Sequence, residues 1–132
     1  MEEKTQIASA ALLETWAAHA WRNGLQLDTL DEMDRLVVVT HNSRYEITVI
    51  SPRSHEILVR GGQFFTECRP ARLAGSSLGG SFLKLGGIYV DFNLELNAGG
   101  QVIVTSRVRT IEVHRTRDRE NIREIFRPLS EN

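Results

Sequence analysis

Only one cysteine, Cys68, occurs in 132 residues. No internal disulfide can form from it, and no cysteine-rich metal cluster exists. Long apolar runs are missing as well. The most apolar early stretch, residues 8–21, is broken by Glu14 and His19, whereas a spanning helix needs about 20 largely apolar residues. The opening Met1-Glu2-Glu3-Lys4 is acidic where an export signal is basic, and no signal-type apolar segment follows it. A cytoplasmic protein is therefore expected. Nor is there an excess of charge: the formal net charge is −1, so bulk electrostatics does not point to a nucleic-acid partner. Internal repeats and low-complexity segments are absent too.

What is present suits one domain. A chain of this length buries roughly 65–70% of its unfolded surface and needs no metal or disulfide to fold. Its charge is unevenly placed. Residues 1–34 carry seven acids and two bases, and residues 35–132 carry ten acids and fourteen bases. Thirteen of those fourteen are Arg, with Lys84 the exception. Guanidinium suits planar, bidentate contacts with carboxylate or phosphate.

Residues 5–22 are expected to form a helix. Ala10, Leu13, Trp16, Ala17, Ala20 and Trp21 share an arc of about 140° at 100° per residue, with Thr5 as N-cap and Gly24 past the C-terminus. An acidic connector follows (Asp28, Asp31, Glu32, Asp34) and reads as a solvated linker. The periodicity then changes to two. Residues 35–41, 43–50, 56–60, 91–97, 101–106 and 108–114 look like strands, with Asn42-Ser43 and residues 51–54 as turns. Eight of the ten glycines come in pairs, at 61–62, 79–80, 86–87 and 99–100, as tight turns, bulges or barrel corners require. In the tail, Ile122, Ile125, Phe126 and Leu129 recur at helical spacing, Asp118 can cap the start, and Pro128 stops it.

The expected fold is mainly β: a small antiparallel barrel or sandwich of seven or eight short strands, with an N-terminal amphipathic helix and a short C-terminal helix. Residues 1–34 form the helix and connector, 35–114 the β-domain, and 115–132 an Arg-rich tail.

Several chemistries are tested by the residues and fail. Gly75-Ser76-Ser77-Leu78-Gly79 fits G-x-S-x-G, with Asp91 and His114 following in hydrolase order. That chemistry needs a strand-to-helix turn on a large α/β sheet, and residues 81–85 read as a strand. A phosphate loop needs Lys where Ser81 stands. His19, His41, His55 and His114 lack a second ligand at usable spacing, and the acidic connector lacks the order of a calcium loop. No metal, cofactor or catalytic residue is expected. A single-stranded nucleic-acid barrel would use Tyr45, Phe64, Phe65, Tyr89 and Phe92 with Arg44 and Arg60, but packing accounts for strand aromatics more economically.

Arg69-Pro70-Ala71-Arg72, followed by Ser76–Gly79 and Ser77–Gly80, resembles the RxxxR and [D/N]xSxxG segments of PilZ domains. Those are β-barrels that bind cyclic di-GMP. The Arg pair is one residue too close, and Ala74 and Gly75 stand where an acid or amide belongs. That resemblance implies anion binding by Arg69, Arg72, Ser76 and Ser77. The run from Leu36 to Val113 also resembles short bacterial β-domain proteins of the acidobacterial type. Residues 42–46, 59–65 (Val-Arg-Gly-Gly-Gln-Phe-Phe), 73–81 and 104–106 carry that resemblance. It implies one compact domain and no particular reaction.

Two amphipathic ends on a β-domain favour docking. The function expected from the sequence is a non-catalytic accessory subunit or adaptor in a larger complex, peripheral on a membrane-bound energy or transport assembly at its cytoplasmic face. Trp16, Trp21, Ile122, Ile125 and Phe126 are the expected partner contacts. A cyclic-dinucleotide regulator and the nucleic-acid barrel are the alternatives.

Overall fold

The computed structural model describes residues 21–78, 82–116 and 123–129. Most of the expected N-terminal helix, Trp16 included, lies outside them, as does Ile122. The described residues form ten strands and one 3-10 turn: β1 Gly24–Gln26, the turn Leu27–Thr29, β2 Arg35–Thr40, β3 Arg44–Ser51, β4 Glu56–Gly61, β5 Phe65–Ser77, β6 Leu83–Leu85, β7 Gly87–Tyr89, β8 Asn93–Ala98, β9 Gln101–His114 and β10 Arg123–Phe126.

Every strand pair is antiparallel. β2 pairs with β3, β3 with β4, β4 with β5, β5 with β8, β8 with β9, and β9 returns to β2, so the pairings of these six strands close on themselves. Two long strands make this closure. β5 gives its first half to β4 and its second half to β8 and β6. β9 pairs with β8 through Gln101–Arg107 and with β2 through Val108–His114. Register shifts sit where each long strand changes partner.

Period-two alternation explains which faces are inside. Leu36, Val38, Ile47, Val49, Ile57, Val59, Leu94, Leu96, Ile111 and Val113 are almost wholly buried and form one core. Their neighbours Arg35, Arg44, Glu46, Glu56 and Arg60 face out and are exposed. β1 pairs with β7 as a separate ladder, bringing Leu25, Leu27 and Ile88 into the same core.

Three expectations need correction. Residues 65–77 form a strand that Cys68-Arg69-Pro70 obscured in the sequence; with β1, β7 and β10 also added, and residues 101–106 and 108–114 joined in β9, the described strands number ten rather than seven or eight. The tail at Arg123–Phe126 is a strand, not a helix, in register with Ile111–His114 of β9. β9 offers these residues a ready ladder of backbone partners that satisfies their N–H and C=O groups. Phe126 packs on the core and Ile125 faces out. The acidic connector is not wholly solvated either. Asp34 is fully buried and accepts hydrogen bonds from the Asp31 N–H (2.8 Å) and from the N–H and hydroxyl of Thr116 (2.8 and 3.0 Å).

Two glycines are dictated by contact. At Gly61 (φ +136°) a Cβ would lie 2.1 Å from the Arg44 carbonyl oxygen, and at Gly75 (φ +150°) 2.0 Å from that of Lys84. Any other residue there would push β3 or β6 away.

Candidate functional site

The residues singled out in the sequence do not converge. Arg69 and Arg72 are exposed on β5, three residues apart, so the strand directs them to opposite faces. The Arg69 guanidinium lies over the Phe64 ring, 5.1 Å from its centroid, a cation–π contact. Arg72 stands between Glu56 of β4 and Asn97 of β8. Ser76 and Ser77 are fully buried. The Ser76 hydroxyl donates to the Gly87 carbonyl (2.9 Å) and accepts from the Tyr89 N–H (3.1 Å). Ser77 donates to Glu95 Oε1 at 3.0 Å. Both hydroxyls tie β5 to its neighbours. The Gly-Ser-Ser segment that resembled a nucleophile or phosphate loop is thus a strand bulge in which glycine is required sterically.

Trp21 is half-buried in an aromatic cluster of its own chain. It stacks on Phe92 (centroids 4.1 Å, 19° between planes) and meets Tyr89 and Phe82 edge-on. Such pairs contribute about 0.5–1.5 kcal/mol beyond the area they bury.

Two surfaces on the outer wall stand out. The first is a groove of 510 Å³ across β3, β4, β5 and the β8–β9 turn, lined by Ile50, Leu58, Pro70 and Ala98, with Glu56, Arg72 and Asn97 among its polar residues. The apolar surface continues past Asn97 to its cross-strand partner Val102, and then to Val104. Val102 is 65% exposed and Val104 47%.

The second surface is polar. Cross-strand partners on one face of an antiparallel sheet lie side by side. Reading across β10, β9, β2 and β3, one row is Arg123, His114, Arg35 and Thr48. The adjacent row is Ile125, Glu112, Val37, Glu46 and, on β4, Arg60. Arg44 Nη1 donates to Glu46 Oε1 at 2.8 Å, and Glu112 meets Arg123 at 3.0 Å and His114 at 3.6 Å. The Glu46 carboxyl is held below the usual carboxylate range. The Arg44 hydrogen bond is the main cause; desolvation opposes it, and the charges of Arg44, Arg60 and Arg35 reinforce it. A depression of 300 Å³ lies here, lined by Arg35, Val37, Arg44, Glu46, Thr48 and His114 among others.

Comparison with protein-family models, curated proteins and solved structures finds no match.

Among the described residues no group of three or more His, Cys, Asp or Glu is placed to hold a metal ion. No helix among them is long and apolar enough to cross a membrane.

Sequence reasoning missed both surfaces. That Arg35, Arg44 and Arg60 face outward follows from the alternation around Leu36, Tyr45 and Val59. That Arg35 lies beside His114 does not, because it depends on a pairing register 79 positions apart in the chain. Val102 and Val104 carried an ambiguous phase, since they form one apolar run with Ile103 ahead of the β9 irregularity.

Proposed function

We propose that the chain is a non-catalytic accessory module that docks on a protein partner within a larger assembly, its six-strand ring acting as a small barrel whose outer wall carries the contact. The observation behind this reading is the uncovered apolar surface running from Ile50, Leu58 and Pro70 past Arg72 to Val102 and Val104. Interfaces enrich apolar side chains and Arg at their centres and rim them with polar groups. Trp21 and Phe126, expected at first as partner contacts, pack within the chain itself, so the proposed contact moves from the two ends to the wall. Engagement of Ser76 and Ser77 in hydrogen bonds between strands supports a non-catalytic role.

The test is to place a charge on the wall. Ile50→Glu and Val102→Glu alter exposed side chains, so the fold should lose no more than about 0.5–1 kcal/mol. Each should nevertheless abolish association of the protein with its partner in extracts of its source. Retention of the partner by both variants would refute the reading.

A further inference from the structure

We propose that the outer wall formed by β2, β3 and β9 is a phosphate-group site, adjoining the apolar groove where Thr48 stands opposite Leu58, with Arg35, Thr48 and His114 as its donors. Arg35 stands directly opposite Thr48 on one neighbouring strand and opposite His114 on the other. His114 in turn stands opposite Arg123. Strands lie about 4.8 Å apart, so the donors from Thr48 to His114 span roughly 10 Å, a width a phosphate or pyrophosphate can bridge. Glu112 serves Arg123 and His114 at one end of this row, so Arg35 is the cation of the row with no carboxylate bonded to it among the described residues. An anion over the row gives Arg35 a counter-charge.

The local carboxylates are already committed. Glu46 is bonded to Arg44, and Glu112 to Arg123 and His114. Arg35 and Arg60 form no ion pair among the described residues, and around Glu46 three guanidinium groups face one carboxylate. The 300 Å³ depression that would seat the anion is bounded by Arg35, Arg44, Thr48 and His114, with the Glu46 carboxylate also in its lining and already bonded to Arg44. Planar guanidinium grips phosphate oxygens bidentately, and hydroxyl and imidazole add directed donors.

A phosphate group reaches such a site either from a soluble ligand or from a lipid headgroup, and two arms of one experiment separate them. In the first, the isotopically labelled full chain is titrated with pyrophosphate at constant ionic strength, and amide shifts are followed by NMR. In the second, the chain is sedimented with phosphatidylglycerol vesicles and with phosphatidylcholine vesicles. Saturable shifts centred on Arg35, Thr48 and His114, weakened about tenfold by Arg35→Gln but hardly by the charge-matched Arg72→Gln, support the site with a soluble source. Sedimentation with phosphatidylglycerol alone, lost in Arg35→Gln and kept in Arg72→Gln, supports it with a lipid source. If neither arm shows binding, or if both variants weaken binding equally, the proposal is overturned. Thermal melts of both variants establish that each remains folded.

Discussion

The carboxylate of Asp34 receives both the backbone N–H and the hydroxyl of Thr116, at 2.8 and 3.0 Å, across 82 positions of sequence. With its other oxygen it holds the Asp31 N–H at 2.8 Å. One fully buried side chain therefore fastens the connector ahead of β2 to the segment that leaves β9. Leaving buried hydrogen-bond donors without a partner costs about 1–3 kcal/mol. Asp34→Ala should lower the unfolding free energy by about 2–4 kcal/mol in urea titrations. Thr116→Val should cost less, and the pair should be strongly non-additive in a double-mutant cycle. Additive effects would mean that the two residues act separately.

Gly75 gives a sharper steric test. A Cβ there would meet the Lys84 carbonyl oxygen at 2.0 Å, and φ is +150°. Gly75→Ala should separate β6 from β5, with faster amide exchange at residues 83–85 and a stability loss of about 2–4 kcal/mol. An unchanged exchange pattern would show that the strand accommodates the methyl group.

Trp21→Ala removes the ring that stacks on Phe92. A loss of about 2–4 kcal/mol is expected on thermal or chemical denaturation, because the aromatic cluster loses its central ring. A variant that melted like the parent would place Trp21 outside the folded core and return it to the list of partner contacts.

Glu46 supplies the pH prediction. Its carboxyl titrates below the ordinary range in the folded chain, chiefly through the Arg44 hydrogen bond. Because the folded value is the lower one, the associated stability is present above the unfolded pKa and is lost as pH falls through the folded pKa. The group is solvent-exposed, so the effect on stability is small and weakens with salt. Arg44→Gln should move the Glu46 titration upward, as followed by carboxyl NMR. No movement would assign the shift to Arg60 and Arg35 instead.

Local pattern made much of the antiparallel six-strand ring legible. The alternation of Leu36 with Val38, and of Leu94 with Leu96, placed those strands and their buried faces correctly. β5 was hidden because Cys68-Arg69-Pro70 breaks the apolar alternation while the backbone still pairs with β4 through Val59↔Arg69 and Leu58↔Pro70. β10 misled because Ile125 and Phe126 fit a helical spacing as well as a strand, and only the β9 ladder decides between them. Candidate sites were less legible still. Chemical motifs drew attention to Ser76, Ser77, Arg69 and Arg72, whereas both outer surfaces arise from registers between strands remote in sequence.

The most direct measurement for the docking role is the native mass of the untagged protein in a gentle extract of its source. The chain alone is 14.9 kDa. Migration in a much larger particle at fixed stoichiometry, collapsing to the free chain on Val102→Glu, is the expected result. Migration of the unaltered protein as a free 14.9 kDa monomer would contradict it.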